Sequence, residues 1–261
     1  MISEREPLKT RTLRLIRSEA GPLLLAGIAS AALAIFLHLA TETVIEGETR
    51  AWDLRILQSL RVPGQPHQPI GPRALLEAAR DLSALGSIAV LNLIALLIIG
   101  YTLVRRRFAA ALMIVVALGG GMLVCQFLKF SYERARPPVI YREIEVVNTS
   151  FPSGHAMLSA VVYLTLAALL ARIVRTRREK TYLVLSALLL TLIIGATRIF
   201  LGVHWTTDVL AGWTIGCGWA CLCWLASFVW EQVTKQRIKT LAPSEDSTEV
   251  AQAAEGPRVQ A

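Results

Sequence analysis

The sequence predicts an all-α polytopic membrane protein with six transmembrane helices, on three observations. Hydrophobic residues make up 54% of the 261 and charged residues only 18%, a balance too apolar for a soluble domain of this size. Six uninterrupted apolar stretches, at 21–40, 86–104, 108–128, 156–173, 181–197 and 209–230, are each long enough to cross about 30 Å of hydrocarbon. The cations follow an alternation of sides: 17 of the 27 Lys and Arg fall in segments that would share one face of the membrane. By the bias of Lys and Arg toward the cytoplasm, both termini lie inside. Segment 41–85 and the loops 129–155 and 198–208 then face outward.

Taken in order, residues 1–20 form a basic cytoplasmic N-terminal segment containing Arg5, Lys9, Arg11, Arg14 and Arg17. The stretch at 21–40 follows it as a signal peptide would, but it has the length of a full crossing and five more spans succeed it. It is expected to be an uncleaved anchor helix, the first of a single six-span domain over 21–232.

Segment 41–85 is too long for a bare loop. In ETRAWDLRILQSL the residues Trp52, Ile56 and Leu60 recur at helical spacing, with Arg50, Asp53 and Arg55 elsewhere, which suits a helix resting on the outer surface. Proline and glycine in RVPGQPHQPIGP interrupt it, and RALLEAARDLSALGS leads helically into the second span. Either a covering hairpin or a substrate-admitting element fits this segment. Gly119 to Gly121 and the Gly212/Gly216 pair are expected to let helices approach closely. Cys125, Cys217, Cys221 and Cys223 all lie inside proposed spans and read as small buried apolar residues. The polar tail within 233–261, low in aromatic residues, is expected to be cytoplasmic and disordered.

Three stretches on the proposed outer face hold the chemistry: KFSYERARP with Lys129 and Arg136, FPSGHA with Ser153, Gly154 and His155, and TRIFLGVHWTTD with Arg198, His204 and Asp208. Ionisable groups at membrane depth are costly unless they are partnered or functional. Two forked guanidinium donors and a lysine point charge match an anion with several oxygens, such as a phosphoryl group. Pro152 breaks the chain and Ser153 is a favourable N-cap, so Gly154 and His155 fall in a helix's first turn. There the free N–H groups and the dipole attract an anion, and glycine lets it come close. Asp208, one turn after His204, can accept a hydrogen bond from one imidazole nitrogen, fix the tautomer and leave the other nitrogen free to attack. His204 is thus the candidate nucleophile and His155 the candidate general acid. No pattern suggests a metal or cofactor site, and the net charge of +8 follows topology and implies no nucleic-acid partner.

Lys129 and Arg136-Pro137 match K-x6-R-P, Pro152 to His155 match P-S-G-H, and Arg198, His204 and Asp208 match R-x5-H-x3-D. These blocks, in this order, resemble the type 2 phosphatidic acid phosphatase (PAP2) superfamily, which includes vanadium haloperoxidases and glucose-6-phosphatase. The resemblance implies a PAP2-like bundle and a metal-independent phosphatase acting through a phosphohistidine. Lys129, Arg136, Ser153, Gly154 and Arg198 would hold the phosphoryl oxygens, His204 would attack, Asp208 would orient it and His155 would protonate the leaving group. Where many members have serine before the third-motif arginine, this chain has Thr197. The implied partners are the bilayer of a bacterial inner membrane and a phosphorylated lipid: undecaprenyl diphosphate, phosphatidylglycerophosphate or phosphatidate. A phosphotransferase using the same histidine, a haloperoxidase, and a transporter or scaffold without catalysis are the competing readings.

Overall fold

The computed structural model describes residues 8–241 except 46 and 147, with side chains described over 21–237 except those two and 45. The described residues are mostly helical. Helix α1 (Leu8–Ala40) runs into a π turn (Thr41–Ile45). A short helix α2 (Arg50–Ser59), a two-stranded antiparallel hairpin of β1 (Arg61–Val62) and β2 (Gln65–Pro69), and α3 (Arg73–Ala84) follow. The bundle is completed by α4 (Ile88–Val104), α5 (Phe108–Tyr132), α6 (Gly154–Ala171), α7 (Arg177–Phe200) and α8 (Thr206–Leu241).

Among the described residues, five helices are long and apolar enough to cross a membrane. They lie at Gly21–Val44, Phe108–Tyr132, Gly154–Ala171, Arg177–Phe200 and Thr206–Arg237. α3 and α4, which meet at a bend of 47°, make a sixth when taken together. Leu96, Leu97, Leu123, Phe127, Leu185 and Leu189 are all more than half exposed. In water so large an apolar surface would drive aggregation, and facing acyl chains it costs nothing.

Several helices outrun the apolar stretches that marked them. α7 starts at Arg177 because Thr176 and Glu179 close a reciprocal cap: the Thr176 hydroxyl accepts from Glu179 N–H at 3.2 Å, and the Glu179 carboxylate accepts from Thr176 N–H at 2.9 Å. α8 continues to Leu241, so residues 233–241 are helical, and the tail beyond them lies outside the described residues.

Segment 41–85 differs from its expected form. The Pro- and Gly-rich stretch closes the β1–β2 hairpin instead of merely interrupting two helices, with Gly64 at φ +77°. The face that α2 turns inward carries Asp53 and Leu57, whereas Trp52 of the expected apolar stripe is 45% exposed. Asp53 faces the protein because a charged partner meets it there, which leaves Trp52 on the outer side, where the apolar stripe was expected to rest on the membrane surface. Arg61, 4% exposed, pins the hairpin by donating to the carbonyls of Phe200 at 3.0 Å and Tyr141 at 2.5 Å.

α6 is the central helix, packed against α7 and α8, while α1 lies along α8. Glycine makes the α6–α8 contact possible. A Cβ at position 212 would meet the Ser153 carbonyl oxygen at 2.7 Å, and one at 216 would meet Ala160 Cβ at 2.9 Å. In the other glycine cluster it is Gly120 that makes room, for the ring of Trp219, whereas Gly119 faces open space. A middle layer of Leu91, Ala95, Ile114, Leu118, Leu158 and Val162 fills the bundle. Nearer the end where α5 stops and α6 starts, the Phe151 ring is fully buried, with centroids 5.3 Å from Tyr132 and 5.8 Å from Phe36. That aromatic trio anchors the chain just before Pro152-Ser153-Gly154-His155.

Candidate active site

Antiparallel connectivity brings the C-terminal ends of α5 and α7 and the N-terminal ends of α6 and α8 to one end of the bundle. The eight candidate residues all sit there. Lys129 is in the last turn of α5, Arg136 in the loop after it, Gly154 and His155 open α6, Arg198 is in the last turn of α7, and Asp208 is in the first turn of α8. His204 lies in the α7–α8 turn and is 2% exposed; Asp208 is fully buried.

The structure pairs His204 with Asp208, whose Oδ2 is 3.4 Å from Nδ1. On the opposite side of the ring, Nε2 lies 3.1 Å from Arg136 Nη1. A guanidinium can only donate, so Nε2 carries the lone pair and the proton is on Nδ1. Burial pushes the His204 imidazole down to about 3, against the Asp208 hydrogen bond that raises it, so the ring is neutral at pH 7. A neutral imidazole whose lone pair points at a cationic group is arranged to attack an anion held there.

Arg136 is set by its backbone partners. Nη1 donates to Val203 O at 2.6 Å, Nε to Asn148 O at 2.5 Å and Nη2 to Thr149 O at 3.2 Å. Burial lowers its guanidinium to about 10, which leaves it charged at neutral pH. Lys129 Nζ donates to the same Thr149 carbonyl at 2.8 Å. Arg198, 4% exposed, donates from Nη1 to the Ser83 hydroxyl of α3 at 2.8 Å, and its Nε is buried with no partner. His155 lies within electrostatic reach of Arg198, Arg136 and Lys129.

Ser153 occupies the N-cap of α6, yet its hydroxyl does not cap the helix. The oxygen is fully buried without a hydrogen-bond partner, and the backbone N–H instead reaches Asp208 O at 3.0 Å. Ser153 Oγ and Arg198 Nε are therefore two buried donors left unmatched by protein acceptors, which costs about 1–3 kcal/mol each unless a ligand supplies one. The Thr197 hydroxyl is committed to its own helix, donating to Ile194 O at 2.6 Å, and contributes nothing to the cradle.

Asp208 is held from all sides. Oδ2 accepts from Trp205 N–H at 2.9 Å, as an N3 carboxylate does when it reaches back to the N-cap, and also from the Ser150 hydroxyl. Oδ1 accepts from Arg134 Nη1 at 2.5 Å.

The PAP2 superfamily model matches residues 110–232. Phosphatidylglycerophosphatase B of Bacillus subtilis is 32% identical over 147 residues, which is 54% of this chain and 70% of that protein. The chain belongs to the PAP2 superfamily. An undecaprenyl-diphosphatase of Sulfolobus acidocaldarius is 26% identical over 117 residues, 43% of this chain and 52% of that protein. The crystal structure of the transmembrane PAP2-type phosphatidylglycerolphosphate phosphatase from Bacillus subtilis superposes with a TM-score of 0.68 at 26% identity. That match covers 75% of this chain and 93% of that one. This PAP2 chain is accordingly an integral membrane phosphatase, with relatives named for phosphatidylglycerophosphate and undecaprenyl diphosphate.

The PAP2 motifs left out four residues that the structure places against them: Arg134, Ser150, Thr207 and Asp53. The first three are neighbours of motif positions, and a second arginine two residues before Arg136 was visible in KFSYERARP. Asp53 is 155 residues from Asp208 and carried no sequence signal, since it lies off the apolar stripe of its helix with Arg50 and Arg55.

Proposed function

We propose that the protein hydrolyses a phosphomonoester or diphosphate lipid through a phosphohistidine on His204. The observation that carries this reading is the imidazole whose Nδ1 side faces Asp208 and whose Nε2 faces Arg136 at 3.1 Å. Lys129, Arg136 and Arg198, with Ser153 and the first-turn N–H groups of α6 at Gly154 and His155, form the cradle for the phosphoryl oxygens.

In the first step the Nε2–P bond forms as the bond from phosphorus to the leaving oxygen breaks, and His155 gives that oxygen its proton. The bound phosphate, placed among the cations that surround His155, favours the protonated imidazole that this step needs. In the second step water attacks phosphorus, the N–P bond breaks, and His155 takes the water's proton. Inorganic phosphate leaves and both histidines return to their starting state. The cationic cluster offsets charge on the equatorial oxygens in each step, the task that a metal performs elsewhere.

The relatives' names supply candidate substrates: phosphatidylglycerophosphate and undecaprenyl diphosphate. Phosphatidate completes the set, and the polyprenyl diphosphate is ranked first. The test is phosphate release from each lipid by purified protein in detergent with EDTA. Release is expected to persist in EDTA; activity lost and restored by a divalent cation would overturn the metal-free mechanism. A newly phosphorylated acceptor lipid without free phosphate would instead indicate a phosphotransferase.

The cation distribution supports a cytoplasmic location for both termini and an active site on the periplasmic face of a bacterial inner membrane. A reporter active only in the cytoplasm, fused after Lys239, is expected to be active. Silence there, with activity when it is placed in segment 41–85, would invert the topology.

A further inference from the structure

We infer that Asp53, on the short outer helix α2, is a positioning residue for the active site, acting on Asp208 through Arg134 and Thr207. The inference rests on the His204–Asp208 reading proposed above. It gives segment 41–85 a function within the active site itself.

Arg134 bridges two carboxylates that belong to distant parts of the chain. Its Nη2 donates to Asp53 Oδ2 at 2.8 Å, and its Nη1 donates to Asp208 Oδ1 at 2.5 Å and to the Thr207 hydroxyl at 2.8 Å. Asp53 also receives the first turn of α8 directly, from Thr207 N–H at 3.0 Å and from the Thr207 hydroxyl at 2.6 Å. The side chains of Asp53 and Asp208 are fully buried and that of Arg134 is 10% exposed. Arg134 also lies 5.7 Å from the ring centroid of Trp205, the residue next to His204.

Such a buried ion triad is a poor way to gain stability, because removing three charges from water costs about as much as their attraction returns. Its geometry instead determines rotation. A carboxylate with Oδ1 clamped by Arg134 can present only Oδ2 to His204, and the clamp is rigid only if Arg134 is itself held. Asp53 holds its other nitrogen. With Asp53 neutral or absent, Arg134 keeps one carboxylate and gains freedom to follow it. Trp205 N–H and the Ser150 hydroxyl still hold Oδ2, but the carboxylate loses its fixed Oδ1 anchor, and the Oδ2 contact to Nδ1, already long at 3.4 Å, loses part of its fixed direction. The imidazole would be less well aimed at phosphorus, while the cradle of Lys129, Arg136 and Arg198 would be untouched.

That separation supplies the test. Orthovanadate mimics the five-coordinate phosphorus bonded to the nucleophile, whereas inorganic phosphate reports the cradle. In the full-length protein in detergent, Asp53→Asn is expected to lower kcat/KM by about 10- to 100-fold. It is expected to raise the inhibition constant of vanadate by a similar factor and to change that of phosphate by less than about 2-fold, since neither constant depends on how much of the protein is folded. Arg134→Gln should behave alike, and the double variant should be no worse than the worse single one, because both act through one path.

Unchanged kcat/KM overturns the inference. So does a fall in kcat/KM with both inhibition constants unchanged, which means only fewer folded molecules, and so does a rise in both, which means a damaged cradle. If the charge variants cannot be purified, Thr207→Val decides by the same three readings, since it removes one shared hydroxyl and leaves every charge in place. His204→Ala run alongside separates the two levels. Full activity in that variant sinks the proposed phosphohistidine and the inference with it, whereas an inactive His204→Ala beside an unaffected Asp53→Asn sinks the inference alone.

Discussion

His204→Ala is expected to abolish lipid phosphate release, with a loss of about 10⁴-fold or more in kcat. Both nitrogens of this ring are met by polar groups of the site. Asp208 and Ser150 lie on its Nδ1 side and Arg136 on its Nε2 side, in a turn buried enough to keep the imidazole neutral. Alanine removes the atom that would bond phosphorus but leaves the cationic cradle, so binding of inorganic phosphate should survive. Steady-state phosphate release, together with trapping of an acid-labile phosphoprotein in the unaltered enzyme, checks both halves. Retained turnover in His204→Ala would place the nucleophile elsewhere.

The second large effect is expected from His155→Ala, and its size should depend on the leaving group. A general acid contributes about 10²- to 10⁴-fold when the departing oxygen is a poor leaving group such as an alcohol. It contributes much less when the departing group is stable as an anion. The variant should therefore be crippled on phosphatidate or phosphatidylglycerophosphate and far less impaired on p-nitrophenyl phosphate. The geometry motivates this. His155 opens α6 among Lys129, Arg136 and Arg198 without being the ring that Asp208 orients. Equal losses on alkyl and aryl phosphates would exclude it as the proton donor and leave it a binding residue.

Much of this site was legible in the residues because its parts are local. The interval from His204 to Asp208 is one helical turn, and Ser153 directly precedes a helix whose first turn offers free N–H groups. Arg136 and Pro137 are adjacent in the loop that follows α5. Each relation depends on neighbours in the chain, so spacing alone conveys it. The six apolar stretches were legible for a similar reason, because a lipid-facing helix must satisfy its own backbone and expose only apolar side chains. Their ends were not, since polar caps such as Thr176 with Glu179 extend a helix past the hydrocarbon-like residues.

Segment 41–85 marks the other boundary. Its helical periodicity was readable, but the face of α2 that turns inward was not, because a buried Asp53 looks in sequence like a solvated one. Burial of a carboxylate is decided by whether a cation meets it, and Arg134 arrives from a loop 81 residues later. Likewise Ser83 gave no sign that it would receive Arg198 from 115 residues away. The sequence by itself determined that the chain crosses a membrane and carries a cation-lined, histidine-bearing site, since composition, spacing and helix-end chemistry are properties of neighbours. Only the tertiary structure decided which polar groups share one buried volume, because charge pairing across distant segments is settled when the helices pack.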